Sequence, residues 1–253
     1  AQAIYEFVWD QYCDWYLELS KPILNQSGDS AALRGTRRTL VRVLEAILRL
    51  AHPLMPFITE EIWQRVAPLA GVQGETIMLQ PYPLPEESKI DREAEAEIGW
   101  LQAFLLGIRR IRGEMNIGPS HRLVVKLAGA SATDRERIER HRAYLERLAM
   151  LAEISEVESA SSVRGAATAL VGDMQILVPL AGLIDIGAER ERLAKQLERA
   201  SADLEKCRRK LDNASFVANA PADVVAKERE RVADLEQRTA RLKRQIDLLA
   251  ELD

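Results

Sequence analysis

Four sets of side chains in this sequence have types and spacings suited to chemistry. The first is IRRIRGEMN, residues 108–116, where Arg109, Arg110 and Arg112 crowd the end of a helical pattern. Arg109 and Arg112 are three apart and share a helix face. Cations at a helix C-terminus are favoured by the macrodipole, and the same guanidiniums suit phosphate or base contacts. Residue types alone leave both readings open. The second is the basic run Lys206-Cys207-Arg208-Arg209-Lys210, which contains no acid. The third is Asp14 with Glu18, four apart, as an acid/base pair would be. A solvated or ion-paired helix face accounts for them far better. The fourth is the three histidines. His52 precedes a proline at a helix end, and His121 and His141 stand beside arginines, as helix-end or surface histidines do.

Catalytic patterns are missing. The sequence holds no GxxxxGK[ST] loop, no GxSxG elbow and no HExxH. Cys13 and Cys207 are too far apart in sequence to suggest a disulfide framework or a metal-ligand spacing, and a reducing cytoplasm suits them. No apolar run is long enough for a membrane-spanning helix, and no secretory signal pattern opens the chain. The chain starts within helix-like sequence and without Met, so a piece cut from a longer protein is expected. A net charge of −4 argues against coating nucleic acid wholesale but leaves room for local basic faces.

The elements that must position these groups are mostly helices. Residues 3–20 repeat apolar side chains at spacings of three and four, and Pro22 is expected to end that helix. Trp9, Trp15 and Trp63 are expected in the core. Helices over 32–51, with arginines around its apolar face, and 56–69 follow, Pro56 sitting in a first turn. Residues 75–80 suggest a short strand, the prolines at 81, 83 and 85 a linker, and residues 86–112 a fourth helix. Beyond Gly118-Pro119 the pattern becomes α/β. Strands are expected at 122–127, 153–157, 167–171 and 175–178, and a helix to about 150 opens on the capping-box pattern Thr133-Asp134-Arg135-Glu136.

From Ile184 the sequence simplifies into two coiled-coil seams. Leu193, Leu197, Ala200, Leu204, Cys207 and Leu211 form one; Val225, Glu228, Val232, Leu235, Thr239, Leu242, Ile246 and Leu249 form the other. The break at 212–221, DNASFVANAP, reverses the chain, so the helices pair antiparallel. At a rise of ~1.5 Å per residue the hairpin extends roughly 40 Å as an arm. Arg192, Arg199 and Lys206 recur every seven residues on one flank, and Arg231 and Arg238 do so on the return helix. Interleaved glutamates favour a solvated face for most of them. The acid-free run at 206–210, close to the tip, favours a phosphate contact.

Three stretches carry a family resemblance. FVWDQYCDWYLELSKP, LRLAHPLMPFITEEIWQ and IRRIRGEMNIGPS resemble the anticodon-binding helical domain of class I aminoacyl-tRNA synthetases of the valine, isoleucine and leucine group. LAGLID, the hairpin and its tip FVANAPADVVAKERE resemble the valyl branch; the isoleucyl branch ends in a cysteine cluster that two distant cysteines do not supply. The family usually reads NIPPS where this chain has Asn116-Ile117-Gly118-Pro119-Ser120, and glycine is expected to loosen that turn.

The resemblance implies a mostly α fold. A helical anticodon-binding bundle spans 1–118, a small α/β segment 119–182, and an antiparallel coiled-coil arm 183–253. It implies valine-specific tRNA as partner, with Arg109, Arg112, Lys206, Arg209, Lys210 and Arg231 as contacts. It also implies catalytic and editing domains upstream that consume ATP with magnesium, no cofactor or catalytic residue on this chain, no membrane, a monomer, and a cytoplasmic setting. A protein-interaction hairpin is the alternative reading of the arm.

Overall fold

The computed structural model describes residues 1–183 and 186–250. Ile184 and Asp185, which end the LAGLID stretch, and residues 251–253 lie outside the described residues. The chain divides into two compact units, 1–96 and 97–253.

The first unit opens on one continuous helix built from α1 (Gln2–Glu6), a π-wound segment (Phe7–Leu17) and α2 (Glu18–Leu24). Two expectations change here. Trp9 is not core: it is 56% exposed and lies parallel to the Tyr5 ring at 6.3 Å between centroids. Hydrogen bonds of the i→i+5 type put more residues in each turn, so the three-four spacing no longer marks one face. Trp15 is half-buried, and Trp63 is buried as expected. Nor does Pro22 end the helix; it lies within α2. The residue four before it is Glu18, where the winding returns to the α form, so the missing N–H falls at a transition already present.

α3 (Ala31–Ala51) starts where the Ser30 side chain accepts from the Leu33 N–H at 3.1 Å. α4 (Pro56–Ala70) opens on Pro56 and closes on Gly71, whose φ of +75° is the left-handed cap that glycine supplies. The two helices enclose Leu48, Trp63, Ala67 and Ile77. At their centre Glu45, buried, accepts from Trp63 Nε1 at 2.9 Å and from Arg49 at 2.8 Å, so the charge brought inside is paired and hydrogen-bonded. The expected strand at 75–80 is a single 3₁₀ turn, Ile77–Leu79. Thr76 caps that turn, and Glu60 accepts from its hydroxyl and from the Ile77 N–H, a local closure that leaves no ladder to form.

α5 (Arg92–Glu114) begins later than expected, after a 3₁₀ turn at Glu87–Lys89. The second unit contains most of it. Trp100, Leu101, Phe104, Leu105, Ile108 and Ile111 are buried along one stripe. Strands β1 (Leu123–Ala128), β2 (Leu151–Val157), β3 (Ala166–Val171) and β4 (Met174–Pro179) form a mixed sheet in the order β2-β1-β4-β3. β1 and β2 pair in parallel through the crossover helix α6 (Ala132–Leu148), and β3 and β4 form an antiparallel hairpin. α5 approaches the sheet closely at Gly107: a Cβ there would meet Ala169 Cβ at 3.1 Å and Ile176 Cδ1 at 3.6 Å. The capping box of α6 is Ser131 with Asp134, not Thr133 with Glu136, because it is Ser131 that stands one residue outside the helix. Asp134 also accepts from Trp100 Nε1 at 2.8 Å, tying α6 to α5.

α7 (Ile186–Asp212) and α9 (Ala222–Ala250) pair antiparallel, with the short helix α8 (Ala214–Asn219) inside the expected break. Leu193, Ala200 and Cys207 on one side and Val225, Thr239, Leu242 and Leu249 on the other are buried, as the seam pattern requires.

Candidate nucleic-acid interface

The basic run of the arm lies on the last turns of α7, and all four of its cations are exposed. Each meets a carboxylate. Lys206 stands 3.7 Å from Asp203, and Arg209 pairs with Glu205, both along α7. Arg208 reaches Glu236 at 2.6 Å and Lys210 reaches Glu228 at 3.4 Å, both across to α9. The pairs exposed on both sides, those of Lys206, Arg208 and Arg209, contribute ~0–1 kcal/mol. A phosphate can therefore displace the carboxylates at little cost. Arg231, on α9, is exposed and has no carboxylate within 4 Å among the described residues. It faces the same stretch of the hairpin, near enough to Glu228 and Cys207 to bias their protonation. The structure thus brings Lys210 and Arg231 around Glu228.

Glu228 occupies a seam position and is mostly buried. A hydrogen bond from the Cys207 thiol, then Lys210 and Arg231, hold its carboxyl below the usual range. Burial, and then Glu228, push the Cys207 thiol up, so it is a packed thiol and not a nucleophile.

The arginines ending α5 part company. Arg109 and Arg110 are exposed. Arg112 is not: its guanidinium donates to the carbonyls of Gly118 at 3.0 Å, His121 at 2.7 Å, Ala149 at 3.0 Å and Met150 at 3.3 Å. Burial lowers its pKa. These bonds join the end of α5 to the turn before β1 and the turn before β2. Gly118 is correspondingly tied, since its carbonyl accepts from both Arg112 and the His121 N–H, so the expected loosening of that turn is absent.

Two of the histidines and one of the early acids have side-chain partners. His52 Nδ1 lies 2.8 Å from Thr59 Oγ1, His141 Nε2 lies 2.7 Å from Glu97, and Glu18 pairs with Lys21. Among the described residues no three metal-ligating side chains converge. One basic surface did not stand out in the sequence as a site. On α3, Arg37 and Arg38 are exposed with no carboxylate within 4 Å among the described residues. Its signal was present as the arginine-rich face opposite an apolar stripe.

Comparison with known families gives two matches. Residues 1–127 match the family described as the anticodon-binding domain of tRNA ligase. Residues 185–250, which contain the α7–α9 hairpin, match the valyl tRNA synthetase tRNA binding arm.

Proposed function

This chain belongs to the valyl-tRNA synthetase family as a tRNA-binding C-terminal part, and from that premise we propose how its side chains hold tRNA. The outer arm grips the RNA backbone through Lys206, Arg209, Lys210 and Arg231. The carrying observation is that the matched arm displays this acid-free run on its surface with only weak, exchangeable ion pairs. Phosphate neutralisation of this kind supplies affinity with little sequence reading. Arg109 is the contact at the end of α5, and Arg37 and Arg38 face the anticodon stem. Arg112 acts one step back: it fixes the turns beside α5 and so positions that surface without touching RNA.

The reading extends to the whole enzyme. Residues 1–118 dock the anticodon stem and loop, 119–182 connect, and 183–253 reach the tRNA elbow. Catalysis belongs to upstream domains that join valine to its tRNA with ATP and magnesium, and the protein works as a cytoplasmic monomer. Among the described residues no helix is long and apolar enough to cross a membrane.

The test is binding of the purified chain to valine tRNA and to a non-cognate tRNA at two salt concentrations. The reading expects binding to both to weaken steeply with salt, with the valine tRNA held more tightly. Binding insensitive to salt would contradict it.

A further inference from the structure

The root of the arm carries a second basic feature. Between the C-terminal end of α5 and the hairpin lies a cleft of about 230 Å³. Arg192 and Gln196 of α7, Arg238, Arg241 and Gln245 of α9, and Glu114 of α5 line it. Its volume accommodates a phosphate group with accompanying water.

Three details distinguish this cleft from an ordinary solvated stretch of coiled coil. Arg238 and Arg241 are three apart, hence on one face, and neither has a carboxylate within 4 Å among the described residues. Gln245 is only 7% exposed, yet its amide makes no hydrogen bond to the described residues. Its amide atoms are not sealed from solvent, so they are free to donate to or accept from a ligand in the cleft. The third guanidinium, Arg192, is already anchored by Glu189, which fixes its position across the cleft. Glu189 balances Arg192, and Arg238 and Arg241 together outweigh Glu114, so the cleft is net positive.

We propose that this cleft is a second phosphate-binding site of the arm, occupied by the phosphodiester backbone of the bound tRNA. The proposal rests on the tRNA-binding reading above. Three guanidiniums and two carboxamides supply donors, and no aromatic ring lines the cleft to stack a base, so the contact is to backbone. Arg192 and Lys206 are fourteen residues apart on α7, roughly 21 Å along the helix axis. One RNA backbone covers that span in several nucleotides, so a single tRNA can engage the root and the outer arm together.

The experiment measures tRNA affinity against salt for the whole chain, for Arg238→Gln with Arg241→Gln, and for Glu114→Gln. Both arginines are exposed, and thermal unfolding checks that each variant folds. The double variant is expected to bind about tenfold more weakly at physiological salt, with the salt slope reduced by about two. Glu114→Gln is expected to bind about twofold more tightly, a gain that a merely damaged fold would not give. Wild-type affinity and slope in the double variant, alongside weakened binding in Lys206→Ala with Arg209→Ala, would overturn the root site and leave the outer-arm reading standing. No salt-sensitive tRNA binding by the unaltered chain would overturn both. Inorganic pyrophosphate is the second probe. If it binds the chain and loses binding in the double variant, while tRNA affinity is the same in both, the site takes free phosphates and the RNA assignment is overturned.

Discussion

Arg112 and the cations of the outer arm are the same chemistry in two settings. At the end of α5, one guanidinium gives hydrogens to four backbone carbonyls from two turns and is partly withdrawn from water. On α7, Lys206, Arg208, Arg209 and Lys210 stand in water and meet carboxylates singly. The difference lies in what surrounds each. Where β1 and β2 begin side by side, backbone donors reach the Gly118 and Met150 carbonyls but not those of His121 and Ala149, and a fork of donors is worth most there. A two-helix hairpin satisfies its own backbone, so cations on its flanks have no internal work. They are free for a ligand in proportion to how little the fold needs them.

That contrast can be broken by substitution. Arg112→Ala should destabilise the second unit by about 2 kcal/mol, because the His121 and Ala149 carbonyls lose their donor at once; urea unfolding followed by hydrogen exchange of β1 and β2 would show it. A loss below about 1 kcal/mol would mean that water replaces the guanidinium and the contrast is false. Gly107→Val should cost about 2 kcal/mol by forcing a branched side chain against Ala169 and Ile176, with the fall in melting temperature as its measure. A Gly107→Val protein as stable as the original would show that α5 does not press on the sheet.

Acid sharpens the comparison further. Glu97 is held below the usual carboxylate range by the hydrogen bond from Arg140, then by His141. Asp134 ends lowered too: burial alone would raise it, but hydrogen bonds from Ser131 and Trp100 outweigh that. A depressed folded pKa contributes stability that is complete above the unfolded value, about 4, and is lost as pH falls through the folded value. Both carboxylates hold α6 to α5, so α6 amides should begin to exchange faster below about pH 4. Exchange unchanged down to pH 2 would remove these bonds from the account. The smallest effect is expected on the arm, where Lys206→Ala with Arg209→Ala should shift stability by less than about 0.5 kcal/mol, read by thermal melting.

The arm was the most legible part of the sequence, because a seven-residue repeat has one structural answer and its seams are the buried residues found. The mixed sheet was legible strand by strand, but its order was not, since pairing depends on contacts distant in sequence. Trp9 was misread because a π-wound segment changes the period on which the reading relied. The internal role of Arg112 was not legible because its partners, the carbonyls of Ala149 and Met150, lie far along the chain and leave no trace in side-chain types. Arg37 and Arg38 were visible as charges but not as a surface, since only the fold shows which arginines lack carboxylates. The root cleft combines residues of three helices, so no single stretch could announce it.

The most direct test of the central claim is the salt dependence of tRNA binding by the chain carrying Lys206→Ala, Arg209→Ala, Lys210→Ala and Arg231→Ala together, against the unaltered chain. Each phosphate contact removed should lower the salt slope by about one, so the account predicts a slope smaller by three to four units, with the fold retained and the melting temperature lowered only through Glu228, which loses Lys210 and Arg231. An unchanged slope and affinity would contradict it, and would mean that the outer arm is a solvated coiled-coil face that tRNA does not touch.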